Sequence, residues 1–317
     1  MVQISVIIPV ENSIDNIDAT LLSVFAQSMQ DTEIIIVDNA SVDGTSELLK
    51  RYVLFDKRVQ VIGLKQKTTR NDCCRIGIEK AHAPYIYLMD GTKYVYLAQG
   101  CLDRLLMNIQ KFDSDFVYSP CLVVDAENWS FLPLYQVKPE NFVHKKIFNS
   151  QDIPSDLLFR LYLSPWAKLY KKEFLLQGSF EPYEETFFLD CLLRAKKITY
   201  DLLNLYFYHM KPHELKRNNA VQEELANYEV LQKHGMFEKY KNAYIYHKMR
   251  NLWLNVMYAE DSEKIGSFEE MKAEFSNEDF SQYDFDILRK RDLFWAIRNI
   301  KNLRYEEFKA MYLGSAA

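Results

Sequence analysis

The chain has 317 residues, of which 48% are hydrophobic, so it holds enough apolar material for one large domain or two ordinary ones. Its net charge of −5 provides no basic field, and we therefore expect no nucleic-acid partner. The five cysteines form no CxxC pair, which is typical of reduced thiols, and the N-terminus predicts no signal peptide. No apolar run approaches the ~18 residues of a membrane span, so we expect a cytoplasmic protein.

Strand and helix patterns alternate along the first part of the chain. Short runs of β-branched and aromatic residues, typical of buried strands, lie at 3–10, 33–37, 59–63, 85–89 and 115–120. Segments with helical spacing of apolar residues lie between them, at 13–27, 45–52, 72–81 and 97–112. The alternation predicts an α/β fold with a mostly parallel central sheet, Rossmann-like and suited to a nucleotide.

The rest of the chain has a different pattern. Strand and helix signals are mixed over 121–215, and from about residue 216 the pattern is helical to the end. We therefore predict a nucleotide-binding domain over 1–215 and a helical C-terminal region over 216–317. Ligands of parallel sheets bind at the carboxyl ends of the strands, which here are Pro9 to Asn12, Asp38 to Ser41 and Asp90 to Lys93.

Asp38 directly follows a predicted buried strand and has two interpretations. Its carboxylate can accept a hydrogen bond from N3–H of uracil, a proton that cytosine lacks at that position. Alternatively it has a structural role, because aspartate also folds turns and caps helices. Both interpretations stay open on the residues alone.

Several segments, in the expected order, resemble family 2 glycosyltransferases, which are inverting enzymes of the GT-A fold that use sugar nucleotides. They read "ISVIIPVENSIDNIDATLLSVFAQSMQDTEIIIVDNASVDGTSELLKRY", "IGIEKAHAPYIYLMD", "SPWAKLYKKEFL" and "YEETFFLDCLLRAKKITYDLLNLYFYH". The resemblance implies sugar transfer from a nucleoside diphosphate sugar, by default a UDP-sugar, to a saccharide or lipid-linked saccharide acceptor. It also implies a place in bacterial capsule or other surface-polysaccharide assembly.

The resemblance implies a role for each position that matches a family motif. Asp90 corresponds to the first acid of the D-x-D motif, which in the family binds ribose and the divalent cation on the diphosphate. Glu184 and Glu185 stand at the Glu-Asp pair whose second acid is the general base, and Trp166 stands at the acceptor site. Nucleotide contacts are implied for Pro9, Val10, Glu11, Asn12, Asp38, Asn39, Asp90 and Gly91.

The chain departs from the family pattern where the chemistry would occur. Glu11 replaces an aromatic residue that stacks on the base, a contact that contributes about 1–3 kcal/mol. Cys74 replaces the usual arginine, and Arg75 stands one place along, about 100° around a helix. Pro212 excludes a helical metal pair of His209 and His213. The candidates for contact with the diphosphate are Lys93, Arg75, His209 and Lys211.

The segment "DGTK", residues 90–93, lacks the second acid of the D-x-D motif and has three interpretations. Asp90 alone, with waters and the diphosphate, can hold Mg²⁺ or Mn²⁺. Lys93 can replace the metal as a fixed cation, which would make transfer metal-independent. In the third interpretation the site is catalytically silent, and the domain binds nucleotide or a partner enzyme in a glycan-assembly complex.

Two further features of the sequence each have two interpretations. Acids at a helix start complement the helix dipole without any catalysis, but the matching flanks of Glu184 and Glu185 favour Glu185 as the general base. Residues 288–304 interleave basic and bulky apolar side chains. That pattern fits peripheral contact with the inner face of a membrane, or a C-terminal helix that packs its apolar stripe on the domain.

Overall fold

Strands and helices alternate over the first 88 residues of the structure, a computed structural model, as the apolar pattern predicts, and a further short strand and a helix follow up to residue 112. In chain order they are β1 Ile4–Val10, α1 Ile17–Phe25, β2 Thr32–Asp38, α2 Thr45–Phe55, β3 Val59–Gly63, α3 Arg70–Lys80, β4 Tyr85–Leu88, β5 Val95–Leu97 and α4 Cys101–Phe112. Every residue of β1 is buried, which explains why all of them except Ser5 are apolar. The structure describes residues 1–125, 145–161, 163–201, 203, 206–210, 217, 219–284, 297 and 299–313.

The second stretch adds shorter strands and two helices, the second of which carries the candidate site residues Glu184 and Glu185. These elements are β6 Phe116–Tyr118, β7 Cys121–Asp125, β8 Lys168–Lys171, α5 Lys172–Leu176, α6 Glu184–Arg194, β9 Ile198–Tyr200 and β10 Tyr206–Met210. Short 3₁₀ turns lie at Ser150–Asp152 and Leu158–Arg160.

The main sheet has seven strands in the order β3-β2-β1-β4-β8-β6-β9. All its pairings are parallel except those of β8 with β4 and with β6. The prediction of a mostly parallel sheet is therefore confirmed. Val10 pairs with Asp38, so the carboxyl ends of β1 and β2 meet at one edge, and the end of β4 lies beside them.

A smaller three-stranded sheet has the order β5-β10-β7. In it β10 pairs antiparallel with β5 and parallel with β7. Because β5 begins five residues after Asp90, this sheet brings β10 to the end of β4. The predicted helix over 97–112 begins later than expected, at Cys101, since Leu97 belongs to β5 and Gly100 has a positive φ of 77°.

The C-terminal region is helical where the structure describes it, as predicted. Its elements are α7 Ala220–Lys233, α8 Phe237–Tyr258, α9 Lys264–Ser276, 3₁₀ turns at Phe280–Gln282 and Ile300–Asn302, α10 Tyr305–Phe308 and a π-helical turn at Lys309–Leu313. Buried side chains of α8 and α9, among them Met249, Val256 and Phe268, form its core. Most of 288–304 lies outside the described residues, so both interpretations of that segment stay predictions.

The chain divides into two compact units. One comprises Met1–Ile153 and Leu161–Met210, and the other comprises Pro154–Arg160 and Lys211–Ala317. Over the described ranges, no helix combines the length and apolar character needed to cross a bilayer. The described site residues considered below belong to the first unit, and Lys211 and His213 belong to the second.

Candidate functional site

The carboxylate of Asp90 lies two residues beyond the end of β4 and is fully buried. Its Oδ1 accepts hydrogen bonds from the backbone N–H of Thr92 at 2.8 Å and from the Thr92 hydroxyl at 2.7 Å. Its Oδ2 accepts from the Tyr208 hydroxyl at 3.0 Å and from Nη1 of Arg70 at 3.3 Å. Four protein donors therefore hold this one carboxylate in a fixed orientation.

Arg70 joins Asp90 to the acidic start of α6. Its Nη1 also donates to Oε1 of Glu184 at 2.5 Å, across 114 residues of sequence. Burial disfavours the charge of Arg70, but the carboxylates of Asp90 and Glu184 raise its pKa above the ordinary value. The guanidinium is therefore a permanent cation between two carboxylates.

Glu184 is oriented from its other side by Trp166. The indole Nε1 of Trp166 donates to Oε2 of Glu184 at 2.8 Å. The indole is buried, and Lys168 holds the loop that carries it by donating to the carbonyls of Ser164 at 2.6 Å and Trp166 at 3.0 Å. Glu184 is 31% exposed, whereas Glu185 in the same helical turn is only 6% exposed.

Two tyrosines of β10 form hydrogen bonds with Asp90. They are Tyr206 and Tyr208, which share a strand face because side chains alternate along a strand. The Tyr206 hydroxyl accepts from the backbone N–H of Asp90 at 3.2 Å, and the Tyr208 hydroxyl donates to its carboxylate. Burial raises the pKa of both hydroxyls well above the ordinary value, so both stay protonated at neutral pH.

Gly91 permits the close approach of this turn to β1. A Cβ at Gly91 would lie 2.5 Å from Cγ1 of Val10, 2.6 Å from Cγ2 of Ile8 and 2.8 Å from the carbonyl of Pro9. The Gly91 N–H donates to that same carbonyl at 3.1 Å. Glycine is therefore required for the Asp90 turn to dock on the central strand.

Glu11, where the family pattern has an aromatic residue, is paired with a lysine. Lys67 donates to its Oε1 at 2.5 Å, and Asn39 donates to its Oε2 at 2.7 Å. The hydrogen bond from Lys67 is the main cause that lowers the pKa of Glu11. Asn39 also accepts from the N–H of Thr68 at 2.9 Å, so these residues tie the end of β2 to the segment before α3.

Asp38 and Asn12 fold the connection between β2 and α2. Asp38 is 3% exposed, and its carboxylate accepts from Ser41 N–H at 3.1 Å and from the Ser46 hydroxyl. Asn12, with a positive φ of 47°, accepts from the N–H of Val42 at 2.9 Å. The structural role of Asp38 is thus present in the fold, and its role in base recognition stays a prediction.

Arg75 and Lys93, two of the side chains expected to contact the diphosphate, have different surroundings. Arg75 donates to Asp72 and Glu79, two acids of its own helix, so its hydrogen bonds run along α3. Lys93 is half-buried, and its carbonyl accepts from the hydroxyl of Thr20.

His209 and Lys211 are the other two candidates for contact with the diphosphate. The ring of His209 packs edge-on against Tyr94, and burial lowers its pKa, so it is neutral at pH 7. Lys211 and His213 lie outside the described residues.

The structure brings together three residues that the sequence singled out, Asp90, Glu184 and Trp166. Sequence reasoning missed Arg70, Thr92, Tyr206 and Tyr208. Two features of the sequence could have indicated them. Thr69 caps α3 with Asp72 three residues later, so the helix starts two residues earlier than predicted and includes Arg70. The alternation in "YFYHM" places Tyr206 and Tyr208 on one face of a strand.

Comparison with known proteins shows the family to which the chain belongs. The sequence profile of glycosyl transferase family 2 matches residues 5–176, and the chain belongs to this family. The glycosyltransferase GlyG of Streptococcus pneumoniae is 25% identical over 223 residues, which are 68% of this chain and 73% of GlyG. The putative teichuronic acid biosynthesis glycosyltransferase TuaG of Bacillus subtilis is 36% identical over 87 residues, 27% of this chain and 34% of TuaG.

Among solved structures, that of S. aureus TarS 1-349 in complex with UDP superposes with a TM-score of 0.64. The alignment covers 98% of this chain and 90% of that one, at 16% sequence identity. The likeness is one of fold, and the chain has the GT-A fold. The protein is therefore a family 2 glycosyltransferase, related to enzymes of surface-polysaccharide synthesis.

Proposed function

We propose that this protein transfers a sugar, with inversion, from a UDP-sugar to a saccharide acceptor during assembly of a bacterial surface polysaccharide. The observation that supports this most directly is the junction of Asp90, Arg70 and Glu184 at the carboxyl edge of the sheet. It joins the end of β4, where a nucleotide diphosphate would lie, to the acidic start of α6, where an acceptor would be deprotonated.

Uracil is the proposed base because Asp38 lies at the end of β2, opposite Val10 of β1. Its carboxylate can accept from N3–H of uracil while it keeps the turn bonds described above. The printed description of the TarS complex names UDP, which is consistent with this choice. The name of TuaG refers to teichuronic acid biosynthesis, which supports an acceptor of the surface-polysaccharide class.

The general base is proposed to be Glu185. Both oxygens of Glu184 already accept hydrogen bonds, one from Arg70 and one from Trp166, and an arginine partner weakens a carboxylate as a base. Glu185 follows it in the same turn, is mostly buried, and stands at the second acid of the family's Glu-Asp pair. Glu184 then holds Arg70 in place, and Glu185 removes the proton from the acceptor hydroxyl as it attacks C1 of the donor sugar.

Two measurements test the proposal. Calorimetry with UDP, GDP and CMP should show binding of UDP and much weaker binding of the other two. Incubation with a panel of UDP-sugars should release UDP slowly by hydrolysis, and faster when the correct acceptor is present. UDP binding without any hydrolysis or transfer would support a catalytically silent domain, and the absence of binding to every nucleotide would contradict the proposal.

A further inference from the structure

The immediate surroundings of Asp90 do not fit a divalent cation. Mg²⁺ needs oxygen ligands at about 2.0–2.1 Å in nearly octahedral geometry. Each Asp90 oxygen already accepts two hydrogen bonds, so a metal ion would have to displace Thr92, Tyr208 or Arg70. The residue two places after Asp90 is Thr92 instead of a second acid.

Arg70 places a positive charge where such a metal would act. Only its Nη1 is used, by Asp90 and Glu184. Within the described ranges, no acceptor lies within hydrogen-bond distance of its Nε or Nη2, which carry the other three N–H donors. The side chain is 34% exposed, and its Nε and Nη2 are not among the buried side-chain atoms of the described residues that lack a partner, so this second edge reaches solvent. An arginine edge with parallel N–H groups matches the spacing of phosphate oxygens.

We propose that Arg70, and not a divalent cation, neutralises the diphosphate of the donor, so that sugar transfer by this protein is independent of metal. The inference rests on the proposed function and deepens it. Asp90 and Glu184 hold the Nη1 side of the guanidinium, and the Nε and Nη2 side donates to the diphosphate. From the sequence alone, Lys93 is the candidate for the cation that replaces the metal. Because Arg70 contacts both carboxylates, we assign this role to Arg70.

The chemical step balances without a metal. The bond between C1 of the sugar and the β-phosphate oxygen breaks, and its electron pair stays on that oxygen. The acceptor oxygen forms the new bond to C1, and its proton passes to Glu185. Arg70 stays protonated throughout, because two neighbouring carboxylates stabilise its charge, and its hydrogen bonds strengthen as negative charge collects on the leaving phosphate.

Calorimetry on the full chain tests the proposal with UDP and uridine as probes, each in EDTA and in Mn²⁺. We expect the same UDP affinity in both solutions. Arg70→Ala should weaken UDP binding roughly ten- to hundredfold and leave uridine binding unchanged, because only UDP has the diphosphate. Arg70→Lys keeps the charge but loses the paired donors, so its UDP affinity should lie between those of the wild type and Arg70→Ala. Arg51→Ala, at an exposed arginine of α2, is the charge-matched control and should bind UDP like the wild type.

Three outcomes are distinguishable. UDP binding that requires Mn²⁺, or that survives in Arg70→Ala, would overturn the metal-independent role and leave the proposed function standing. Absence of UDP binding in both solutions would overturn the proposed function, and this inference with it. If Arg70→Ala is unstable by thermal unfolding, Arg70→Lys decides the question: wild-type UDP affinity in that variant would contradict the role of the paired donors.

Discussion

The indole N–H of Trp166 donates to the carboxylate of Glu184 at 2.8 Å, and this bond links the loop before β8 to the first residue of α6. Because Glu184 in turn accepts from Arg70, the orientation of the arginine depends on a tryptophan that is itself buried. The position implied for acceptor binding by the family resemblance thus also supports the acidic side of the site.

The first prediction concerns this bond. Trp166→Phe keeps an aromatic ring in the buried position but removes the donor to Glu184. We expect the rate of UDP release in the transfer reaction to fall about fivefold, which corresponds to one lost hydrogen bond of about 1 kcal/mol. Steady-state kinetics at saturating donor measures it. An unchanged rate would show that Glu184 does not depend on the indole.

The second prediction separates the two acids of α6. Glu185→Gln removes the proposed base, so transfer should fall by at least about a hundredfold while UDP affinity by calorimetry stays at the wild-type value. Glu184→Gln keeps the base but loosens Arg70, so it should weaken UDP binding. The reverse pattern, with transfer lost in Glu184→Gln at normal UDP affinity, would assign the base to Glu184.

The third prediction concerns the turn after β4. Gly91→Ala places a methyl group 2.5 Å from Val10 and 2.8 Å from a backbone carbonyl, so strands or turn must shift. We expect a loss of about 1–3 kcal/mol in the free energy of unfolding, measured by denaturant titration. Gly63→Ala is the matched control, since a Cβ there meets nothing within 4 Å. Equal stability of the two variants would contradict the close packing of the Asp90 turn.

The fourth prediction is a pH dependence at Glu33. Burial raises the pKa of this carboxyl, but hydrogen bonds from Ser5, His82 and Ala83 outweigh burial and lower it below 4.5. A folded-state pKa below the unfolded value stabilises the fold above pH 4.5, and the effect is lost as the pH falls through the lower, folded-state pKa.

Thermal unfolding between pH 7 and pH 3 tests the contribution of Glu33. Glu33→Gln should lower the melting temperature at pH 7 and flatten its fall at acid pH. The control is Glu47→Gln, because Glu47 is 70% exposed and should keep the wild-type slope. Parallel curves for Glu33→Gln and the wild type would show that Glu33 does not contribute to the acid sensitivity.

Much of the fold could be predicted because it follows from local patterns of apolar residues. β1 is apolar except at Ser5, and the helix–strand alternation leaves few arrangements other than a parallel sheet. The small sheet was harder to predict. β5 has only three residues, and its partner β10 lies about a hundred residues further along the chain. Pairing over such distances leaves little trace in a single sequence.

The candidate site could be predicted only in part, for a similar reason. Asp90, Glu184 and Trp166 stand in motifs, so resemblance identified them. Arg70 stands in no motif, and its importance comes from a contact with Glu184 across 114 residues. Arg75 was the nearer match by position, yet the geometry of α3 directs it to Asp72 and Glu79.

A crystal structure of the full chain with UDP, grown in the presence of Mn²⁺, tests the central claim most directly. The account predicts the uracil beside Asp38 and the diphosphate within hydrogen-bond distance of Nε or Nη2 of Arg70. UDP bound elsewhere, with the strand ends empty at saturating nucleotide, would contradict it.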